Sequence, residues 1–477
     1  MSFRSNALAM LTGTVMAQAL PLLAAPVLTR LYTPEAFGLQ TLFMGLAASL
    51  AVLATCRMDL ALVLPPDDGE ALALVAFMAA TTLATCALTW LAVPAVAAVT
   101  GRELPLAWMA LLPLMVLATA VFQLATGLAA RRRAFRQVAG AGVANQGTYV
   151  GAALALGLAG TWSLGLVIAK LAGQAVGAVL VWRTAAAEIS AAFRRRSLAA
   201  AMAAARKYRQ FLVFNTPYSL VGSVARDAPV YAFSAFAAVG LAGFFGLSRT
   251  VLLAPTLLAS NAFSQVFYRE AVALKGSPRL QDLTVTLLRA GLLVLAPLFA
   301  FCAVWGDALF ATLFGEGWRT AGVFAMVLAP AAWLAVQTGW PERLFEVNMR
   351  QGVSFAVQLT SDAVTALAFA ATFWFTRDGV VAVAVYAACN VLYHHVYLAA
   401  IFRISGFSAG LLARTLLAGW LVFGASCAAL AVIRVEGGQA GVAGWAPAMA
   451  LAAVASAALG WRLARHGLRG SFAGGLR

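Results

Sequence analysis

The chain has 477 residues, of which 63% are hydrophobic and only 10% charged, with a formal net charge of +16. Ordinary globular chains are about half apolar and a quarter charged, so this composition excludes a soluble organisation. The cationic excess of such a chain reads as topology and contact with anionic lipid headgroups, and it excludes nucleic acid as a partner.

Crossing a bilayer takes roughly 20 consecutive apolar residues. Windows bounded by charge and turn clusters predict fourteen spans: 7–29, 37–64, 71–99, 105–129, 138–158, 163–184, 210–236, 243–267, 284–305, 320–341, 352–375, 379–402, 409–433 and 445–463. Pro65, Pro66, Asp67 and Asp68 close the second span. Arg131, Arg132 and Arg133 close the fourth, and Gly276, Ser277 and Pro278 follow the eighth. The fold class is an all-α polytopic membrane protein. The first window is over 20 residues long, which favours a retained helix over a cleaved signal peptide.

Alternating the connections with the N-terminus inside places 23 of the 33 Lys and Arg on the inner side and five on the outer. The outer five are Arg30, Arg102, Arg319, Arg377 and Arg434. Basic residues favour the cytoplasmic side, so both termini are expected in the cytoplasm.

The longest polar connection, Ala185 to Lys207, carries Arg194, Arg195, Arg196, Arg206 and Lys207 around an alanine-rich stretch. It reads as a basic helix along the cytoplasmic leaflet that joins two lobes. A shift of 208 residues brings Phe37, Gly38 and Leu39 onto Phe245, Gly246 and Leu247, and Pro21 onto Pro229. This repeat predicts an N-lobe of six spans at 1–186, a linker at 187–209 and a C-lobe of six spans at 210–403. Two extra helices and a basic tail follow at 404–477. The lobes are expected to enclose a central cavity.

Four cations fall inside predicted spans: Arg57, Lys170, Arg226 and Arg249. A charge at mid-bilayer costs about 2.5 to 3.5 kcal/mol on the insertion scale, so such residues face a bundle interior or a wet cavity. Arg57 is followed by Asp59, and residues two apart on a helix do not face each other, so the two are expected to take different partners. Arg226 and Asp227 are adjacent and also diverge, with Pro229 just beyond. For these residues, binding of an anion in the cavity and bracing between helices both stand. Arg249 and Lys170 lie nearer helix ends and have the further option of snorkelling. Gln18, Asn215, Asn261, Gln265 and Gln358 are suited to sugar hydroxyls or to neighbouring helices.

Five cysteines inside spans give no disulfide framework, and His394, His395 and His466 have no metal-ligand spacing. A polar helix end or an interhelical hydrogen bond is the favoured role of His394 and His395. The sequence implies no cofactor, and it contains no Walker A motif that would make ATP the direct driver.

The segment Arg30 to Leu39, RLYTPEAFGL, resembles the RLYTPEDFG segment common in bacterial polysaccharide flippases. Arg57 to Pro65, RMDLALVLP, is similar to that family's RYELAIVLP, and Gln265 to Tyr268 also fits its pattern. Leu313 to Arg319, LFGEGWR, resembles its LFGEEWR. The resemblance covers nearly the whole chain. It implies the Wzx-like branch of the multidrug, oligosaccharidyl-lipid and polysaccharide exporter superfamily. The implied function is transfer of undecaprenyl-pyrophosphate-linked oligosaccharide to the periplasmic leaflet of the bacterial inner membrane, by alternating access coupled to an ion gradient. The product could serve O-antigen, lipopolysaccharide or exopolysaccharide synthesis, and glycan polymerase or ligase machinery is a further partner.

Arg57, Asp59, Arg226, Asp227, Arg249, Lys170, Gln18 and Gln265 are then candidates for substrate contact. Asp59, Asp227 and Asp362 are the candidates for ion coupling, with an interhelical hydrogen bond as the other reading of Asp362. Two alternatives compete: a drug or metabolite exporter of the same superfamily, and a membrane-embedded glycan polymerase or ligase. Short outer connections without paired carboxylates count against the enzyme.

Overall fold

Helix is the only regular structure among the described residues of the computed structural model, which are 3–100, 106–132, 134–160, 164–194, 197–236, 238–436 and 441–466. Contacts group the chain into two compact units, Met1–Gly243 and Phe244–Arg477.

The first unit contains α1 (Phe3–Leu31), α2 (Pro34–Thr55), α3 (Met58–Ala61), α4 (Asp68–Thr100), α5 (Leu106–Arg131) and α6 (Phe135–Leu158). It continues with α7 (Gly165–Arg194), α8 (Leu198–Lys207), a π-helical turn (Phe211–Asn215), α9 (Thr216–Arg226) and α10 (Ala228–Ala235). The helix α11 (Val239–Ala273) starts at the end of this unit and runs into the second. The second unit then holds α12 (Pro278–Phe314), a 3₁₀ turn (Glu316–Trp318), α13 (Arg319–Thr338) and α14 (Arg343–Val347). The last four helices are α15 (Gln351–Thr376), α16 (Gly379–Ser405), α17 (Ala409–Glu436) and α18 (Gly441–His466).

Eleven helices among the described residues are long and apolar enough to cross a membrane. The other three predicted windows are helical too, so fourteen spans are compatible with the structure. Window 138–158 is the polar helix α6, window 210–236 is split into three pieces, and window 243–267 lies within α11.

Local chemistry sets the helix ends. Thr33 caps α2 by accepting from the Ala36 N–H, Pro34 occupies the first turn where its missing donor costs nothing, and Glu35 faces the positive end of the helix dipole. Asp378 caps α16 by accepting from Val380 and Val381, and Gly406 ends it in a left-handed conformation. Inside the spans, hydroxyls such as those of Thr41, Thr284 and Thr415 donate to carbonyls four residues back, which satisfies them without a partner from outside the helix.

Small residues let helices approach closely. A Cβ on Gly38 would stand 1.9 Å from the Val239 carbonyl oxygen, and one on Gly243 2.0 Å from that of Pro34. Backbone therefore meets backbone where α2 crosses the start of α11. The alanine face of α8, Ala201, Ala204 and Ala205, is buried in a cluster with Leu74, Val75 and Met78 of α4, and Leu198 and Met202 are exposed. Lys207 at the end of α8 pairs with Glu70 at 2.6 Å.

In the second unit the two last helices pack on α12. The Trp305 indole donates to the Leu430 carbonyl of α17 at 3.3 Å, and Trp445 of α18 donates to Thr312 at 3.2 Å. Arg319 and Arg434, which the charge count assigned to one side, converge on Asp307 at 3.4 and 2.8 Å. The motif Leu313 to Arg319 builds this junction, with Arg319 also paired to Glu316 at 2.6 Å.

Candidate functional site

The second predicted span is not one helix. It stops at Thr55, and Cys56 and Arg57 both adopt left-handed conformations, with φ of 49° and 53°, before α3 begins at Met58. Two successive non-glycine residues in this region are costly and persist only where surrounding packing holds them. Met58, Ala61 and Leu62 supply that packing, buried with Leu124 and Leu128 of α5. Gly127 of α5 lies against α3, since a Cβ there would be 2.7 Å from the Asp59 carbonyl oxygen.

The break corrects the expectation that Arg57 and Asp59 diverge. Off the helix, the Arg57 Nη1 comes within 4.0 Å of the Asp59 Oδ2, with 27% and 11% of the two side chains exposed. The contact is long. Arg57 Nε and Asp59 Oδ1 are buried atoms with no hydrogen-bond partner. After α3, Arg131 ties the following segment down, donating to the carbonyls of Leu62 and Pro65 and pairing with Asp68 at 3.1 Å.

A second break lies at Asp227, between α9 and α10, two residues before Pro229, whose ring and missing donor oppose a continuous helix. Asp227 is buried and Arg226 is exposed, so these neighbours do part company. The Asp227 carboxylate packs on α2, 3.3 Å from where a Cβ of Gly45 would stand, beside the Tyr231 hydroxyl at 3.1 Å. Ser49, one turn further along α2, bonds Ser223 at 3.0 Å and Tyr231 at 3.3 Å. The same helix thus carries the Asp227 contact and the Arg57 break.

Lys170 sits on the α7 face packed against α6. Its amine donates to Gln146 Oε1 at 3.0 Å and lies 4.4 Å from the centre of the Tyr149 ring. The buried Tyr149 hydroxyl accepts from Gln40 Nε2 of α2 at 2.9 Å. Arg249 in α11 and Asp362 in α15 are half-buried, Gln18 in α1 is exposed, and the Gln265 side chain lies outside the described residues.

A family described as polysaccharide biosynthesis protein matches residues 27–323, more than half of the chain. The chain belongs to this family. No curated protein sequence matches it. The fold of this polysaccharide biosynthesis protein is similar to that of lipid II flippase MurJ in an inward closed conformation, with a TM-score of 0.72 at 11% identity over 96% of this chain and 98% of the other. It is also similar to an inward-facing multidrug resistance MATE family transporter of the MOP superfamily, with a TM-score of 0.62 at 15% identity over 82% of this chain and 95% of the other. Both are likenesses of fold alone, and the eleven helices long and apolar enough to cross a membrane fit a multi-pass membrane protein.

Sequence reading did not find Gln40, Gln146 and Tyr149, the partners of Lys170, nor Ser49, Ser223 and Tyr231 around Asp227. Gln40, Gln146, Tyr149 and Ser49 lie on different helices from the charges they serve, and no spacing within the chain marks such pairs, whereas Ser223 and Tyr231 stand four residues either side of Asp227.

Proposed function

We propose that this polysaccharide biosynthesis protein flips undecaprenyl-pyrophosphate-linked oligosaccharide from the cytoplasmic to the periplasmic leaflet of the bacterial inner membrane, with both termini in the cytoplasm. The observation that carries the reading is the broken second span. It presents a guanidinium with an unpartnered Nε beside an unpartnered carboxylate oxygen. A pyrophosphate accepts hydrogen bonds from a guanidinium in a charge-assisted and bidentate way, which a drug cation does not. Asp59 Oδ1 is an acceptor for the first sugar's hydroxyls.

In this account two six-helix lobes, 1–186 and 210–403, joined by 187–209, expose the site to one leaflet and then the other. Arg226 and Arg249 add positive charge along the way, and Gln18 and Gln265 donate to sugar hydroxyls. Asp59, Asp227 and Asp362 are the carboxylates available for ion coupling. The polar headgroup is then never exposed to hydrocarbon, and the chemistry is transfer without bond making.

The test is leaflet exchange of fluorescent undecaprenyl-pyrophosphate oligosaccharide in liposomes containing the folded protein. Protein-dependent exchange supports the reading. No exchange, with efflux of cationic drugs instead, overturns it in favour of the exporter.

A further inference from the structure

Lys170 has no carboxylate partner among the described residues, although every element packed against α7 has been a possible source of one. On α6 the titratable group facing it is Tyr149, and Arg136 stands at the far start of that helix. On α5 the charged group is Arg131, engaged with Asp68. On α4 Asp68 and Glu70 lie in the first turn, taken by Arg131 and Lys207. On α2 Glu35 points to Gly240, where a Cβ would be 2.9 Å from its Oε1. Tyr32, before α2, donates its hydroxyl proton to the Ala153 carbonyl at 2.8 Å.

The charged amine is thus stabilised by a neutral amide and the face of a ring. That is weak compensation for leaving water. A neutral amine keeps the hydrogen bond to Gln146 and loses only the cation–π attraction, so both protonation states fit the same partners. Around this pair α6 and α7 are fixed: Asn145 donates to Gln174 at 2.8 Å, and Gly173 is so close that a Cβ would be 2.4 Å from the Asn145 carbonyl oxygen. The Tyr149 hydroxyl exchanges hydrogen bonds with Gln40 at 2.9 and 3.4 Å. The Tyr149 ring thus connects Lys170 to α2, the helix that ends at Thr55 just before Arg57.

We infer that Lys170 binds and releases a proton during the transport cycle, and that Tyr149 and Gln40 carry its state to α2. The inference rests on the transport reading and adds an amine to the carboxylates considered for coupling.

Only three lysines occur in the chain, Lys170, Lys207 and Lys275. Protein labelled with ¹⁵N at lysine and placed in nanodiscs therefore gives three side-chain signals, with Lys170→Met assigning one. The Lys170 signal is expected to move over roughly pH 6 to 9, the range across which the proton gradient is imposed. In liposomes, the ratio of flipping with a proton gradient to flipping without one should fall to about 1 in Lys170→Met, and Tyr149→Phe should lower it partly. A Lys170 signal that stays fixed over this range, or a Lys170→Met variant with the parent's ratio, overturns the inference. A parent that flips no lipid but whose Lys170 titrates sinks the substrate reading and still supports the proton site.

Discussion

Arg57 Nη1 lies 4.0 Å from Asp59 Oδ2 because the helix stops between Thr55 and Met58. On a continuous helix these side chains would project about 200° apart. Two left-handed residues turn Arg57 back toward Asp59, and the pair stays long enough to leave one polar atom of each unpartnered. Asp59 therefore holds the guanidinium without saturating it. Asp59→Asn should release Arg57 and tighten binding of a pyrophosphate lipid about fivefold, the worth of roughly 1 kcal/mol for a long and part-exposed ion pair. Titration of the protein with the lipid checks this, and an unchanged affinity would remove Asp59 from the site.

Gly38 should tolerate no side chain. Its Cβ would enter the Val239 carbonyl, which is backbone and cannot move aside as a flexible side chain would. Gly38→Ala is expected to cost about 1 to 3 kcal/mol, seen as a lower unfolding temperature in detergent. Gly140→Ala, with nothing within 4 Å of its Cβ, is the control and should be neutral or stabilising.

Trp420 docks α17 onto α16. Its indole donates to His395 Nε2 at 3.0 Å, and His395 Nδ1 bonds the Val391 carbonyl at 2.7 Å, which assigns the proton to Nδ1. Trp420→Phe removes the donor and leaves a part-buried acceptor unsatisfied, at about 1 to 3 kcal/mol. Cys427 on α17 should then react faster with a thiol reagent, whereas Trp90→Phe, at an exposed position, should leave its rate unchanged.

The Glu70 hydrogen bond raises the Lys207 pKa above the ordinary lysine value, with the carboxylate's charge adding to it. For a base raised on folding, the stabilisation is complete below the unfolded pKa and is lost as pH rises through the folded one. The docking of α8 on α4 should therefore persist through neutral pH and weaken only above the ordinary lysine range, near pH 10.4. Glu70→Gln should bring the Lys207 signal back to that range, as the three-lysine spectrum would report.

The spans were legible because bilayer thickness imposes a length and an apolarity that each helix must show by itself. Arg319 and Arg434, far apart in the chain, meet at Asp307, a contact that no spacing in the sequence announces. The break at Cys56 and Arg57 was not legible, because neither residue favours a left-handed conformation and the packing that enforces it comes from α5. The break at Asp227 was half legible: Pro229 announced a bend, and the structure places it two residues earlier. Lys170 was visible as a charge in an apolar run, while its partners Gln40, Gln146 and Tyr149 became visible only when α2, α6 and α7 were brought together.

The central claim is that Arg57 engages the pyrophosphate, and flipping of the fluorescent lipid-linked oligosaccharide by Arg57→Ala and Arg57→Lys tests it most directly. A hydrogen bond to a charged group contributes about 1.5 to 3 kcal/mol, so Arg57→Ala should flip at least about tenfold more slowly than the folded parent. Arg57→Lys should recover only part of the rate, because lysine keeps the charge and loses the planar fork. Equal rates for the parent and a folded Arg57→Ala protein would contradict the account and leave the break in α2 as a purely structural feature.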